Sequence, residues 1–524
     1  MNRKLKDKEF IKQAIFILLL VFAISAGMFV IGKNSFHLVN SDDASEMILA
    51  KQLAKENRLI SRGWIYSSEL RVINTQIIRG ILFKFTDSWV AVRVAGNFLL
   101  YLWLLSAYGF FIWNWGVGKK WFWYTAPLLL LPFSHEAFYV IGLMAYYIPH
   151  IAFSLLLCGG WMYLYRGGRY RRHMHIFVTA CAFLSCLGGI RQLAMTVLPM
   201  LMTMCVLFLE HSHKVKGIKE VIKKYDFIWT STISGLLGYF VNLKVLSRWY
   251  MFDSYGGIRL CQPYFDRLQV VLRGILNAFG YTEEGVPNTE LFSMEGIFYL
   301  LSLGFLFLIL FMVCALWKQW HKLKLFSQTL FWFSLMGLAL QLFLFLFTDA
   351  PFAPRYYILN VIMFVPLLII FYQETEFSLW VKKTFFALVV ACVCVLGVKE
   401  YADCLNNHEN EGRIECISFL RQANYGLGYA SFWNANLITE LTNGEVEIVS
   451  IACEEGEKPH LYPWLTKLDN LFPNKEGGPV FLLLHENELR RYEALILNAQ
   501  QVFYDGQYYI YQYENTEDIL NILQ

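Results

Sequence analysis

The chain has 524 residues, of which 56% are hydrophobic, 17% aromatic and only 16% charged, with mean hydropathy +0.41. An ordinary soluble domain is about 25% charged, so this chain has too few charges to cover a soluble surface. That excludes a typical cytosolic enzyme, a disordered protein and a fibrous repeat, and leaves a multi-pass membrane protein. The formal net charge of +4 is small, and eleven Cys in so long a chain do not make a disulfide framework.

In chain order, about eleven apolar segments are predicted as transmembrane helices: 14–32, 92–113, 121–139, 146–165, 175–190, 193–209, 226–246, 296–317, 328–347, 357–372 and 382–399. The first follows a basic flank (Arg3, Lys4, Lys6, Lys8, Lys12) and is read as a retained signal anchor. Basic residues gather in alternate connections: Arg166, Arg169, Arg171 and Arg172 in one, Lys214, Lys216, Lys219, Lys223 and Lys224 in another, and Lys318, Lys322 and Lys324 in a third. By the positive-inside rule these loops and the N-terminus are cytoplasmic. The loops 33–91 and 247–295 and the tail after about residue 400 are then outside.

Within the first outer loop, residues 41–58 read as an amphipathic helix opened by Ser41, Asp42 and Asp43. Asp43 and Glu46 have the spacing of a capping box, and one Asp suffices for a cap, so the second is surplus to that role. Residues 70–85 form a more apolar stripe, too charged to span and suited to the membrane interface. The tail alternates strand-like segments (426–432, 446–451, 480–484, 501–504, 508–513) with helical ones (433–443, 486–497), which implies a small α/β domain. Gly428 to Trp433 reads as a strand–helix turn with Trp433 packed inside. The expected division is 1–400, membrane domain, and 401–524, extracytoplasmic domain.

Four features carry a resemblance to membrane glycosyltransferases of the GT-C fold, a group that includes protein O-mannosyltransferases and the lipid A aminoarabinose transferase. They are the acidic pair Asp42–Asp43 opening a long first outer loop, the many spans with the N-terminus inside, Arg355–Tyr356 at the outer start of a late span, and a soluble tail containing Gly428-Tyr-Ala-Ser-Phe-Trp-Asn-Ala-Asn. The family pair is often Asp–Glu and here is Asp–Asp. By position Asp42 matches the family's catalytic base and Asp43 its flanking acid, and which of the two works is left open. The resemblance implies an inverting transfer of a sugar from a polyprenyl-phosphate donor to an acceptor hydroxyl of the cell envelope. Such a reaction needs a base for the hydroxyl and fixed cations for the departing phosphate.

Arg355, Tyr356 and Arg191 are the candidate phosphate contacts, since an Arg in apolar surroundings is costly unless paired or lining a wet cavity. His135, Glu136 and Arg259 are candidates for sugar or acceptor. His150, inside the fourth span, is expected to hydrogen-bond between helices. No metal-ligand motif is present, although an Asp–Asp pair can hold a divalent cation weakly. No cofactor and no nucleic-acid partner is expected. The expected partners are membrane lipid, the lipid-linked sugar, and a glycan, lipid or protein acceptor. There is no P-loop, GxGxxG, HExxH or CxxC. The rival readings are a transporter or flippase for a lipid-linked saccharide, a polysaccharide polymerase or ligase, and a non-enzymatic scaffold.

Overall fold

The computed structural model describes residues 3–67, 69–211, 225–253, 258–262, 264–282, 285–286, 289–454, 457–472, 478–497 and 499–523. The lysine-rich stretch 214–224 lies outside them. The chain forms two compact units. One comprises Met1–Phe29, Asn97–Asn242 and Gly256–Asp403, and the other Val30–Gly96, Leu243–Tyr255 and Cys404–Gln524.

The first unit is helical. Among the described residues of the chain, eight helices are long and apolar enough to cross a membrane, or up to nine if a sharply bent pair is one span. The bent pair falls on the expected segment 121–139. Helix Lys120–Leu130 and the helical run His135–Leu143 meet at 104°. Pro132 explains the break, because it disfavours helical backbone at the residue before it and offers no N–H of its own. Leu131 is accordingly extended, with ψ 120°. Ser134 restarts the chain as an N-cap, its hydroxyl accepting from the Ala137 N–H at 3.3 Å.

The expected segments 175–190 and 226–246 are helical as well. Their α-helices, Arg171–Cys186 and Asp226–Phe240, have 16 and 15 residues, short of the ~20 a straight span needs. Among the described residues, three helical runs pass through π-turns, at Phe138–Leu143, Leu193–Val197 and Val241–Val245.

The second unit contains all nine named strands: β1 (Trp64–Tyr66), β2 (Met251–Phe252), β3 (Leu427–Ser431), β4 (Glu447–Ala452), β5 (His460–Leu461), β6 (Thr466–Lys467), β7 (Val480–His485), β8 (Gln500–Tyr504) and β9 (Tyr508–Tyr513). Six make one sheet in the order β5-β4-β3-β7-β9-β8, with β3 parallel to both β4 and β7 and the edges antiparallel. Both faces are buried, which is why Val480–Leu484 reads as an unbroken apolar run. Val480, Leu482 and Leu484 pack on one side with Tyr429 and Ile519. Phe481 and Leu483 pack on the other with Ile417 and Ile438, from helices Ile414–Gln422 and Phe432–Leu441.

Three expectations are corrected here. The helix expected over 486–497 is a 3-10 turn at Glu486–Glu488 and a short helix at Glu493–Ile496. The strand–helix turn after Gly428 buries Phe432, while Trp433 is exposed. The stripe 70–85 is helical only over Thr75–Leu82, after Asn74, whose side chain accepts from the Thr75 N–H. This short helix buries its polar face, Thr75, Gln76 and Arg79, and exposes Ile81.

Leu482 sits at the centre of the sheet, opposite Tyr429 and Tyr511, with no exposed surface. Leu482→Ala is expected to destabilise the second unit by about 2–5 kcal/mol, from lost burial plus the cavity left behind. Denaturant unfolding followed by circular dichroism of the strand signal is the measurement.

Candidate active site

Polar groups concentrate in two places, one in each unit. In the second unit the acidic helix runs over Ser41–Glu56. Its cap sits three residues earlier than the Asp43–Glu46 spacing suggests. Asn40 is the extended N-cap; its side chain accepts from the N–H groups of Asp42 and Asp43, and the Asp43 carboxylate accepts from the Asn40 N–H. Ser41 ties this helix to the tail. Its hydroxyl donates to the Phe432 carbonyl at 2.5 Å and accepts from the Leu437 N–H at 3.3 Å.

Asp43 is completely buried and faces Arg93, which is also completely buried, at 3.7 Å. The other end of the Arg93 guanidinium donates to Glu440 at 2.5 Å. Arg79 is buried within the electrostatic reach of Arg93, Asp43, Glu46 and Glu440. It reaches this position because Gly80 lets its helix approach the acidic helix closely: a Cβ there would lie 3.1 Å from the Ala50 carbonyl. One turn on from Asp42, Glu46 pairs with Arg71 at 2.6 Å.

Burial sets the protonation behaviour of this cluster. It pushes the Asp43 carboxyl up to about 7, against the pull of Arg93, with Glu440 adding to the rise. Burial, together with the like charge of Arg93, pushes Arg79 down to about 10. Asp43 is thus committed to the interior of the unit. Asp42, its neighbour, is only half-buried.

The second cluster lies in the first unit. Two uncommon backbone conformations shape it: Ala145 at φ 57° between the π-turn Phe138–Leu143 and helix Ile148–Tyr165, and Gly189 at φ 111° just before Arg191. A non-glycine residue at positive φ costs roughly 1–3 kcal/mol, and such strain gathers at functional sites. The carbonyls closing the π-turn, of Gly142 and Leu143, are satisfied by the buried Asn97 amide at 2.7 and 2.8 Å.

The Arg191 guanidinium then lies 5.4 Å from the Tyr147 ring centre and 5.8 Å from those of Tyr146 and Tyr356. Arg355 lies 6.0 Å from the Tyr139 ring. These are cation–π distances. Glu136 feels the charges of Arg355 and His135, and His135 Nδ1 is 3.0 Å from Glu400. The Arg355–Tyr356 turn is braced from behind: Gln341 donates to the Tyr356 carbonyl at 2.9 Å and accepts from Asn360 at 2.6 Å. Arg259 stands apart with an exposed side chain. Its backbone exchanges hydrogen bonds with Asp349, six residues before Arg355.

His150 bonds Gln192 between helices at 3.1 Å, as expected. Gln192 also reaches Ser154 and Thr196, which anchors the segment carrying Arg191.

Of the residues singled out from sequence, Arg191, Arg355, Tyr356, Glu136 and His135 are thus linked in one region. Sequence reasoning missed Tyr139, Tyr146 and Tyr147, which read as membrane aromatics inside apolar runs. It missed Glu440 and Arg79 as well. Arg93 carried a usable signal: a charge at the start of an apolar span is costly unless paired.

No protein-family model matches the chain, and no curated protein matches it in sequence. Solved structures do. The chain is similar to ArnT from Cupriavidus metallidurans, crystallised bound to undecaprenyl phosphate, with TM-score 0.60 and 11% identity over 95% of this chain and 97% of that one. It is also similar to an Archaeoglobus fulgidus oligosaccharyltransferase in complex with Zn and sulfate, with TM-score 0.43 and 12% identity, over 82% of this chain and 62% of that one. The ArnT likeness is one of fold, and it bears out the resemblance to the GT-C group seen in the sequence.

The cluster around Arg93 makes a graded prediction. Arg93→Met leaves two buried carboxyl groups, Asp43 and Glu440, without their shared cation, and is expected to cost about 3–5 kcal/mol. Asp43→Asn removes a carboxyl already held near neutrality and is expected to cost about 1–2 kcal/mol. Thermal unfolding of the two variants in detergent checks the order. A larger loss for Asp43→Asn would show that the carboxylate, not the guanidinium, organises the cluster.

Proposed function

We propose that the chain is an inverting glycosyltransferase, moving a hexosyl or pentosyl group from a polyprenyl-phosphate donor to an acceptor hydroxyl at the outer face of the membrane. The observation that carries this reading is the setting of Arg191 and Arg355, two cations held among Tyr139, Tyr146, Tyr147 and Tyr356 in a largely apolar helical unit. Charges are kept in such surroundings for an anionic partner. Arginine suits a phosphate, with its planar, permanently charged fork. The undecaprenyl phosphate bound to ArnT supports a lipid phosphate as that partner.

In the reaction, the bond between the anomeric carbon and the phosphate oxygen breaks as the acceptor oxygen attacks from the opposite face, so the configuration inverts. Negative charge grows on the departing phosphate, and Arg355 and Arg191 stabilise it, with Tyr356 alongside. The acceptor hydroxyl is far too weak an acid to lose its proton unaided, and Asp42 takes it. Asp43 serves by holding the first turn of the acidic helix to Arg93, so the two acids divide the roles of base and anchor. His135, Glu136 and Arg259 contact sugar or acceptor. Phosphate is a good leaving group, so no general acid is required.

The basic loops remain on the cytoplasmic side in this reading, with the N-terminus. The regions 33–91, 247–295 and 401–524 are outside, where the acceptor is a glycan, lipid or protein of the cell envelope. A transporter of lipid-linked saccharides has no need of the base.

The test is transfer of labelled sugar from polyprenyl-phosphate donors by purified protein in liposomes. Asp42→Asn is expected to lower the rate by about 10²–10⁴, the usual contribution of a positioned base. Asp43→Asn, in the fraction that stays folded, is expected to lose far less. Arg355→Lys is expected to be slow as well, because a point charge replaces a fork. The product's anomeric configuration is expected to be opposite to the donor's. Unchanged transfer in Asp42→Asn would remove the base assignment.

A further inference from the structure

Away from the tyrosine–arginine cluster, the first unit carries an open groove of about 830 Å³ along helix Arg171–Cys186, bordered by Ser234 of helix Asp226–Phe240. Arg172, Ile176, Ala180, Phe183 and Leu184 line it. Arg172, Ile176, Ala180 and Leu184 recur every four residues, along one side of the helix. Its composition is graded along its length. Arg171 and Arg172 stand at one end, and beyond Thr179 the helix wall is apolar.

The basic end is fixed in place. Arg171 donates to the Leu164 carbonyl and to Asp226, both at 2.8 Å, so part of its charge is already answered. His175 is tied to Thr230 at 2.6 Å. Arg172 is exposed and has no ion pair among the described residues. The apolar end lies at Phe183 and Leu184, and Ile176, between the two ends, is well exposed.

We infer that this groove is a binding site for an anionic phospholipid, with its phosphate at Arg172 and an acyl chain along Ile176, Ala180 and Phe183. A free phosphate would leave the apolar wall bare. A zwitterionic lipid would bring its own cation against Arg171 and Arg172. A chain that joins a net negative head to an aliphatic tail answers both ends. The helix that forms the wall is short for a span, and lipid seated along it covers apolar surface that a mismatched helix leaves exposed. This inference does not depend on the transferase reading.

The experiment is native mass spectrometry of the full chain taken from bilayers of equal phosphatidylglycerol and phosphatidylcholine. The wild type is expected to retain phosphatidylglycerol preferentially. Arg172→Gln is expected to lower that retention roughly fivefold, the worth of one basic side chain near a lipid head. Ala180→Trp fills the groove and is expected to lower retention without changing charge; Ala180→Leu is the milder version if the Trp variant does not fold. Arg169→Gln, on the same loop but outside the groove, is expected to retain lipid as the wild type does. Equal retention of the two lipids, or full retention in the Arg172 and Ala180 variants, would overturn the site. Displacement of phosphatidylglycerol by polyprenyl phosphate added to the bilayer would overturn the phospholipid assignment.

Discussion

Arg93 is the residue on which the second unit turns. It has no exposed surface, and its two guanidinium ends meet carboxyl groups from segments almost 400 residues apart in the chain, Asp43 and Glu440. A buried ion pair adds little net stability, because desolvation cancels most of the attraction. What it adds is selectivity of arrangement: any packing that separates these groups leaves a bare charge inside. The acidic helix is therefore held to the tail helix in one register, with the Ser41 hydroxyl bonded at both its lone pair and its proton.

That constraint separates two neighbouring acids by environment. Asp43 is drawn inward, and burial lifts its carboxyl to about 7. Asp42 occupies the next helical position, about 100° around the axis, and stays half-buried. Adjacent residues on a helix cannot share a face, so one anchor and one accessible acid follow from helix geometry once the anchor is chosen. In the first unit strain has the corresponding part. Ala145 and Gly189 hold backbone conformations that ordinary helices avoid, and both precede residues of the tyrosine–arginine cluster.

Much of the fold was legible because its causes are local. Long apolar runs and the alternation in the tail each report on nearby backbone, and the strands β3, β4, β7 and β9 lie within a residue or two of their expected places, whereas the segment expected to run straight over 121–139 breaks at Pro132. The errors are also physical. Trp433 was expected inside, but the helix begins at Phe432, which rotates Phe432 onto the core and Trp433 out. The capping pattern at Asp43 and Glu46 was real as a spacing, yet the cap is Asn40, three residues earlier, whose extended backbone lets its side chain reach two N–H groups. Arg191 and Arg355 were identifiable as charges in apolar sequence. Tyr139, Tyr146 and Tyr147 around them were not, since Tyr in a membrane segment ordinarily marks the interface.

By itself the sequence determined the class: a chain with many apolar helices, a carboxylate pair after the first, and an α/β tail. These follow from composition and short-range periodicity, which depend on a residue and its near neighbours. Only the tertiary structure decided which Asp is buried, that Arg93 joins it to Glu440, and that Tyr139, Tyr146, Tyr147 and Tyr356 gather about two arginines. Each of those is a long-range pairing. The energy of burying a charge depends on what the distant chain brings beside it, and no local pattern records that.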